Sequence, residues 1–547
     1  MSGIPLLLAI AVALALADAS IVTLALPPVI AELGASVEGA AAVLGVYTLA
    51  LALALPVAAW LRRAVGDRPL TAGGALIFAG ASLGCGLANT LDALLALRAV
   101  QAAGAAGLLV GAFALLGAAG HGRRLWTAAS IFGFAAGPAL GGALTEAFDW
   151  RAIFLAQAPV AAAAVVAAWR IRVVEEELAP APEGPRLGPA IALALVSAAL
   201  VGVLFLLVLL LITGWSVSPL AAAAAVTVLP VAALASSRIG GPPRTRAAAG
   251  AVLLGGGVLA LAWLPDASLW WTVAPQAMAG AGMGLALPAL SGELLPERTP
   301  TQAARLLAAR HLGITVALAL LAPLAATQLD DAVEQTRERG AALVLDARLP
   351  PLDKFQLVQT VLSDLDPVDP RGQLQAALDK GASEFDEEDQ PAYRQFADRA
   401  DDALVAGVQG AFAPAFLVCG VLALLAALAV FPPPGRGRLV LAAAGTAAVA
   451  LAGGAALAHD ELAPARVVIA DPCHPRELPD TGGIDGALQD VALAGLDRAA
   501  CDFGSSREQL ALALVDEGER RAYEREHGVD PRDAGSLLGA LLPDLTP

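Results

Sequence analysis

The sequence predicts an all-α integral membrane protein, and two observations carry that prediction. The first is composition, because 57% of the 547 residues are hydrophobic and only 15% are charged, whereas about 25% of the residues in soluble domains are charged. The second is the arrangement of the apolar residues in blocks of about 20 or more, separated by short arginine-bearing breaks. Because backbone groups in lipid must be hydrogen-bonded within their own segment, each block is predicted to be a helix.

Thirteen of these blocks are long enough to cross a bilayer, whose apolar core of about 30 Å requires about 20 helical residues. The first block carries Asp18 and lacks a basic N-terminal region, so we expect a retained span and not a secretory signal. The first six predicted spans are 4–30, 37–61, 70–89, 91–118, 125–148 and 152–171. The other seven are 188–213, 217–239, 247–264, 268–292, 307–327, 404–430 and 438–458.

Arginine residues mark one side of these spans, since Lys and Arg collect in cytoplasmic loops. With the N-terminus inside, every second loop carries arginine, and the loops between them offer only Arg151. The sixteen arginines of the inner side are Arg62, Arg63, Arg68, Arg123, Arg124, Arg170, Arg172, Arg186, Arg238, Arg244, Arg246, Arg298, Arg305, Arg310, Arg436 and Arg438. This pattern predicts a cytoplasmic N-terminus, and thirteen crossings then place the C-terminal tail outside.

Two hydrophilic segments hold the negative charge of the chain. Residues 328–403 and residues 459–547 each contain 18 acidic and 8 basic residues, a net charge of −10 apiece, so the remainder of the chain carries +4. The alternation of arginines predicts that both segments are extracytoplasmic. Helical periodicity at 484–500 and 507–523 predicts a small helical domain in the tail. Nucleic acid is not an expected partner, because no basic stripe exists outside the membrane loops.

The four cysteines divide into two groups. Cys85 and Cys419 lie inside apolar spans, where packing is the expected role. Cys473 and Cys501 lie in the tail, where an oxidising exterior permits a disulfide, and free thiols are the second reading. A zinc site that recruits His474 is the third reading, although the spacing matches no common ligand pattern. No metal or cofactor is predicted.

Asp18 is the first candidate for a functional residue, because it lies well inside the first span. A carboxylate at that depth costs about 2.5–3.5 kcal/mol on insertion scales, so it is expected to face a cavity or a partner. Arg98, near the start of the fourth span, is the candidate partner, and Gln101 lies on the same helical face. Asp18 is therefore either a proton-coupling or substrate-contacting group, or only a member of a structural ion pair.

The fifth span carries a stripe of small residues at 133, 137 and 141, which recur every four positions on one helical face. Small residues at this spacing let two helix backbones approach closely in a membrane. Pro138 removes one backbone hydrogen bond beside the stripe and bends the helix there. The stripe therefore predicts a tight, bendable helix–helix contact, with ordinary close packing as the alternative.

An ordered series of motifs resembles the major facilitator superfamily, and most closely its 14-span drug:proton antiporter branch. Asp18–Pro27 is similar to the first span of that branch, and Leu97–Gly104 to the Arg/Gln/Gly motif of its fourth span. Gly133–Gly142 is similar to the Gly-Pro-x-x-Gly-Gly antiporter motif of its fifth span, and Trp150–Phe154 follows in the expected place. The branch's extra central pair of spans is missing, so a 12-span core plus one added helix is expected.

The resemblance implies two six-helix halves that rock about a central site. Asp18, Arg98 and Gln101 would lie near that site and couple transport to protons. The resemblance assigns the antiporter motif to Gly133, Gly137, Pro138, Gly141 and Gly142. No cofactor is implied.

The loop after the second span departs from the superfamily pattern, in which an Asp helps to close an inner gate. Arg63 stands where that Asp belongs, whereas Gly66 and Arg68 fit the pattern. Asp67 is the candidate substitute for the missing carboxylate. We therefore expect a degenerate inner gate formed by Arg63, Gly66, Asp67 and Arg68.

Six parts follow from the spans and the charge distribution. They are an N-terminal half at 1–172, a cytoplasmic linker at 173–187, a C-terminal half at 188–327 and 404–430, an acidic insert at 328–403, an additional C-terminal transmembrane helix at 438–458, and an acidic helical tail at 459–547.

The expected function is secondary active transport in the plasma membrane, with proton-coupled efflux of small amphiphilic molecules as the leading hypothesis. A dedicated exporter of a lipid or metabolite is the second reading. A transport-inactive receptor or scaffold, whose acidic outer segments bind a protein partner, is the third. The expected partners are a small-molecule substrate, protons and the bilayer, and no feature of the sequence supports an enzyme.

Overall fold

The structure is a computed structural model, and the part of the chain that it describes is almost entirely helical, with no β-strand. The described residues are 3–117, 120–171, 186–296, 299–349, 354, 357, 369–382, 390–430, 437–465, 467–476, 478–479 and 483–533. Residues 173–185 of the predicted linker lie outside these ranges.

The chain divides into two compact units. The span unit comprises Met1–Ile212, Val217–Gln328 and Phe412–Leu462. The acidic unit comprises Thr213–Ser216, Leu329–Ala411 and Ala463–Pro547, so it combines the predicted insert with the predicted tail.

The span unit is built from the helices of the two predicted halves, most of which are long and apolar enough to cross a membrane. Those of the first half are α1 Gly3–Thr23, α2 Leu26–Leu33, α3 Val37–Val65, α4 Asp67–Gly86, α5 Leu91–Leu116, α6 Gly120–Ala147 and α7 Arg151–Arg170. Those of the second half and the added helix are α8 Leu187–Leu209, α9 Pro219–Val226, α10 Val228–Ser236, α11 Pro243–Ala260, α12 Leu269–Pro288, α13 Pro300–Asp346, α15 Gln390–Ala429 and α16 Gly437–Leu462. π-helical turns extend α8 over Leu210–Gly214 and α12 over Ala289–Leu294, and a 3₁₀ turn extends α11 over Leu261–Trp263.

Twelve helical segments in the described ranges are long and apolar enough to cross a membrane, and each matches a predicted span. The remaining predicted span, 125–148, is α6, a helix of 28 residues. The first predicted span is interrupted, because α1 ends at Thr23 and α2 begins at Leu26 with proline in its first turn. Proline is tolerated there because the first helical N–H groups have no partner within the helix.

Glycine brings helix backbones into contact in both halves. In the first half, a Cβ on Gly74 of α4 would lie 2.4 Å from the backbone nitrogen of Leu108 in α5. In the second half, a Cβ on Gly250 of α11 would lie 2.4 Å from the carbonyl oxygen of Gly282 in α12. Helices without large side chains between them gain close van der Waals contact, which drives association in lipid. The α4–α5 seam fixes the position of the helix that carries Arg98.

The acidic unit contains the far part of α13, the first part of α15, and four further helices. These are α14 Pro370–Ala382, α17 Gly483–Phe503, α18 Arg507–Val515 and α19 Glu517–His527. Residues 329–346 of the insert are an uninterrupted continuation of α13, which ends at Asp346.

The tail helices differ from the prediction in one place. The periodicity at 484–500 corresponds to α17, but the single helix predicted at 507–523 is divided at Asp516. The carboxylate of Asp516 accepts a hydrogen bond of 2.9 Å from the backbone N–H of Glu519, and so caps a new helix. An N-cap carboxylate satisfies a backbone donor that has no partner within the helix, which favours a break at this residue.

Insert and tail are joined by ion pairs and by a small apolar core. Nη2 of Arg507 in the tail lies 2.6 Å from Oδ1 of Asp346 in the insert, and Arg337 pairs with Glu519 at 3.1 Å. Leu345 of the insert packs with tail residues that include Leu493. The insert and the tail therefore belong to one folded unit.

Of the three alternatives for the tail cysteines, the structure contains the disulfide. It joins Cys473 to Cys501, and it connects the loop before α17 to the end of that helix. Within the described ranges, no cluster of His, Cys, Asp or Glu is arranged to hold a metal ion. Cys85 and Cys419 are free and buried, as expected for packing residues.

Candidate functional site

Asp18 of α1 and Arg98 of α5 form an ion pair in the interior of the first half. Nη2 of Arg98 lies 2.6 Å from Oδ2 of Asp18, and both side chains are completely buried. The structure therefore brings together the two ionisable residues that the sequence singles out. Burial matters here, because each charge alone is very unfavourable in apolar surroundings and each compensates the other.

Two glutamines close the ion pair into a ring of four side chains. Nη1 of Arg98 donates to Oε1 of Gln101 at 2.6 Å, and Nε2 of Gln101 donates to Oε1 of Gln157 at 2.9 Å. Nε2 of Gln157 then donates to Oδ1 of Asp18 at 3.1 Å. The ring joins α1, α5 and α7, and Ser82 of α4 accepts a further hydrogen bond of 2.8 Å from Gln101. Oδ1 of Asp18 is therefore held by a hydrogen bond from Gln157, and Oδ2 is held by the ion pair with Arg98.

Aromatic rings and one backbone carbonyl fix the guanidinium of Arg98. Its Nε donates to the carbonyl oxygen of Val43 at 3.1 Å. Its Cζ lies 4.2 Å from the ring centroid of Tyr47 and 5.5 Å from that of Phe154. Cations are attracted to aromatic faces, most strongly where water is absent. The hydroxyl of Tyr47 donates to the carbonyl oxygen of Ala15 at 3.0 Å. Helix α3 therefore contacts both α1, which carries Asp18, and α5, which carries Arg98.

The glycine stripe of α6 packs directly against the helix that carries Asp18. A Cβ on Gly137 would lie 2.0 Å from Oγ of Ser20, and a Cβ on Gly141 would lie 2.3 Å from the carbonyl oxygen of Ile21. These contacts are within three residues of Asp18. The α1–α6 contact therefore tolerates no side chain at either position.

The other members of the predicted antiporter motif have separate positions. Gly142 faces the second half, where a Cβ would lie 2.3 Å from Cβ of Ala223 in α9. Pro138 is buried within α6. Gly133 belongs to the same helix, and its surroundings lie outside the described part of the structure.

The predicted inner gate forms a compact turn between α3 and α4. Nη1 of Arg62 pairs with Oδ1 of Asp67 at 2.7 Å, and Arg63 is exposed. Gly66 has a φ of 85°, a conformation that glycine adopts without steric cost. Nη2 of Arg68 donates to the carbonyl oxygen of Ile171 beyond the end of α7, at 3.1 Å. Asp67 thus pairs with Arg62 within this turn.

Three members of the site give no distinctive signal in the sequence. Gln157, Ser82 and Tyr47 all lie in apolar spans, and all are buried. A single neutral polar residue in such a span is a weak signal, because it has no formal charge that demands a partner. Gln157 was detectable as the only amide side chain in its span. Only the folded structure shows that it bridges Asp18 and Gln101.

A second polar cluster, also missed, ties helix ends together in the first half. Oε2 of Glu32 accepts from Nε1 of Trp150 at 2.6 Å, and Oε1 pairs with Nη1 of Arg151 at 2.7 Å. Arg151 also donates to the carbonyl oxygen of Ala88 at 3.3 Å. The hydrogen bonds from Trp150 and Arg151 lower the pKa of Glu32. The cluster connects α2, the segment after α4, and the start of α7.

Comparison with known proteins gives one family and several partial relatives. The model of the Major Facilitator Superfamily matches residues 8–330. The multidrug resistance protein Stp of Mycobacterium tuberculosis is 34% identical over 152 residues, which are 26% of this chain and 28% of that protein. The multidrug export protein EmrB of Haemophilus influenzae is 28% identical over 179 residues, 31% of this chain and 35% of that protein.

A third relative is the methylenomycin A resistance protein of Streptomyces coelicolor, 34% identical over 197 residues, 35% of this chain and 40% of that protein. The chain therefore spans well under two thirds of the length of each of these relatives. A bacterial homologue of the human lysosomal transporter Spinster, solved in an inward-facing and unoccupied conformation, has a TM-score of 0.50 at 16% identity. That likeness covers 79% of this chain and 99% of the other, and it concerns the fold alone.

The lowered pKa of Glu32 predicts a pH-dependent contribution to stability. Because the folded state holds this carboxylate ionised, the contribution is full above the unfolded pKa of about 4.3 and is lost as pH falls through the lower folded value. Glu32→Gln should lower the free energy of unfolding at pH 7 by no more than about 1 kcal/mol, because the pair is partly exposed, and the thermal unfolding midpoint should fall accordingly. The difference from wild type should shrink below about pH 4.

The measurement is thermal unfolding of the purified protein in detergent between pH 3.5 and 7. Glu146→Gln is the matched control, since Glu146 is exposed near the end of α6. A difference between wild type and Glu32→Gln that stays constant over this pH range would contradict the prediction.

Proposed function

Because the chain belongs to the Major Facilitator Superfamily, we propose that this transporter exports small amphiphilic molecules in exchange for protons. The observation that carries the proposal is the completely buried ion pair of Asp18 and Arg98 inside a membrane-spanning half. Ionisable residues inside a membrane commonly mark substrate or ion pathways and proton relays. Partial relatives that are named as multidrug resistance and multidrug export proteins support the direction and the substrate class.

In this proposal, Asp18 is the group that gains and loses the proton. Protonation removes the negative charge that compensates Arg98, and the uncompensated guanidinium is costly in apolar surroundings. Gln101 and the carbonyl oxygen of Val43 remain as acceptors for Arg98, so the arginine keeps part of its coordination. A proton therefore changes the relative energies of the arrangements of α1, α5 and α7, as any ligand with different affinities for two states does.

The glycine stripe of α6 is the proposed route from the ion pair to the second half. Gly137 and Gly141 contact α1 next to Asp18, whereas Gly142 contacts α9 of the second half. Backbone contacts without intervening side chains permit two helices to slide with little steric cost. A displacement of α1 on protonation would therefore reach the contact between the halves through a single helix.

The second candidate function is a transport-inactive receptor or scaffold that uses the acidic unit. The altered inner turn favours this reading, because Arg63 stands where a gating carboxylate is expected. The ion pair of Arg62 with Asp67 weighs against it, since a carboxylate paired to arginine is still present in that turn. A dedicated lipid or metabolite exporter would share the proposed mechanism and differ only in substrate.

Proton coupling is testable in proteoliposomes with ethidium and tetraphenylphosphonium as amphiphilic probes. An imposed pH gradient should drive probe movement in wild type, and probe addition should move protons in return. Asp18→Asn should reduce the gradient-driven rate by at least about tenfold, because the amide cannot take up and release the proton. A positioned acid–base side chain accelerates proton-transfer steps by at least this factor. Downhill movement without a gradient should remain measurable.

Asp92→Asn is the control, since Asp92 is exposed in the first turn of α5 and makes no contact with the ring. Equal gradient-driven rates in Asp18→Asn and wild type would refute Asp18 as the proton carrier. Absence of probe-linked proton flux in wild type would favour the scaffold.

We propose in addition that the protein is a plasma-membrane protein with its N-terminus inside and the acidic unit outside. The orientation is supported by the arginines of the loops, of which sixteen lie on the predicted inner side and one, Arg151, lies on the outer side. The disulfide between Cys473 and Cys501 supports an oxidising compartment. The insert and the tail share one folded unit although α15 and α16 separate them in the chain, which supports two crossings between them.

Cysteine labelling in intact cells tests this topology. Ala376→Cys in α14 and Ala492→Cys in α17 are exposed positions in the insert and the tail, and both should react with a membrane-impermeant maleimide. Ala64→Cys, exposed at the end of α3, should react only after the membrane is permeabilised. Labelling of Ala376→Cys and Ala492→Cys from opposite sides would overturn the thirteen-crossing arrangement.

A further inference from the structure

A cavity of about 560 Å³ lies at one end of the second half, where four helices begin or end. Its lining includes Arg186 and Pro189 at the start of α8, Arg244 at the start of α11, Leu294 at the end of the π-helical turn after α12, and Val430 after α15. Cavities of roughly 300–1,000 Å³ are typical of small-ligand sites. The arginines belong to the loops that the charge distribution assigns to the cytoplasmic side.

The described lining of the cavity contains two exposed arginines and no carboxylate side chain. Nη1 of Arg186 donates to the carbonyl oxygen of Leu294 at 2.8 Å. No ion pair among the described residues includes Arg186 or Arg244. Arg246, in contrast, is paired with Glu293 at 2.5 Å. Two guanidinium groups at one cavity are well suited to an oxyanion such as phosphate.

Backbone groups reinforce this preference. Helices α8 and α11 both begin at the cavity, and neither N-terminal residue, Arg186 or Pro242, caps its helix with a side chain. The first N–H groups of a helix have no partner within it, and they carry the positive end of the helix dipole. The cavity therefore combines two arginines with two long helix N-termini.

The remaining lining is apolar, and this decides the class of ligand. Leu187, Pro189, Leu294 and Val430 offer no polar side chain to a fully hydrated anion. Leu187 is also strongly exposed, with 68% of its surface accessible. A ligand that fits must present a phosphate to the arginines and an apolar portion to these side chains. Basic pockets between helices on the cytoplasmic side are suited to the headgroups of anionic lipids.

We propose that this cavity binds the phosphate-bearing headgroup of an anionic phospholipid from the inner leaflet. The leaflet assignment rests on the proposed orientation of the chain, but the binding chemistry does not depend on transport. A bound headgroup would hold the starts of α8 and α11 to the ends of α12 and α15. It would therefore stabilise the cytoplasmic end of the second half.

Purified full-length protein in detergent tests the site by thermal unfolding and by native mass spectrometry. Phosphatidylglycerol should raise the unfolding midpoint and remain bound through delipidation, whereas phosphatidylcholine should do neither. The double variant Arg186→Gln/Arg244→Gln should bind phosphatidylglycerol at least about tenfold more weakly, because each basic residue near an anionic headgroup contributes several-fold in affinity. Arg238→Gln, an exposed arginine on the same side that does not line the cavity, should behave as wild type.

Two further measurements keep the proposal falsifiable. Arg186→Lys/Arg244→Lys retains the charge, and it should preserve part of the lipid effect even if the glutamine variant folds poorly. Stabilisation of wild type by inorganic phosphate, with displacement of phosphatidylglycerol, would assign the cavity to a soluble phosphate-bearing ligand and overturn the lipid source. An equal loss of phosphatidylglycerol binding in Arg238→Gln and in the double variant would show that general surface charge, and not the cavity, causes the effect. Neither result would bear on proton coupling at Asp18.

Discussion

The ion pair of Asp18 and Arg98 is the constraint on which the first half of the span unit depends. Two full charges with no exposed surface are tolerated because Nη2 of Arg98 lies 2.6 Å from Oδ2 of Asp18 and because Gln157 of α7 donates a hydrogen bond to Oδ1. Removal of either charge leaves the other uncompensated in a medium where water cannot replace it. The ring of four side chains, the aromatic rings that contact Arg98 and the glycine seam between α4 and α5 all hold the two charges in place. The same requirement makes the pair sensitive to a single proton.

The acidic unit imposes a different constraint, because it combines a segment that precedes the spans of α15 and α16 in the chain with a segment that follows them. Arg507 is completely buried, yet its partner Asp346 lies 161 residues earlier in the chain. A contact of this kind ties the end of α13 to the tail within the acidic unit, which supports the proposal that the insert and the tail lie on one side of the membrane. The bidentate pair of Arg371 with Asp401, at 2.8 and 2.7 Å, joins α14 to α15 within the same unit.

The spans, their order and the ionisable pair could be predicted from the sequence, whereas the neutral members of the site could not. Asp18 and Arg98 are conspicuous because a charge in an apolar block is costly wherever the helix packs. Gln157 and Ser82 carry no such cost, and their roles follow only from the approach of α7 and α4 to α5. The split of the tail helix depends on one capping carboxylate at Asp516, which periodicity alone does not reveal. The union of insert and tail depends on contacts between residues far apart in the chain, which no local pattern encodes.

A double-mutant cycle on the ion pair tests the central claim most directly. The measured quantity is the free energy of unfolding in detergent micelles for Asp18→Asn, Arg98→Met and the combined variant. Each single change should cost about 3–5 kcal/mol, because it leaves a buried charge without its partner. The combined change should cost about 2 kcal/mol less than the sum of the two, because the second removal also removes that uncompensated charge. Costs that add to within about 0.5 kcal/mol would show that the two charges act independently, and would contradict the account.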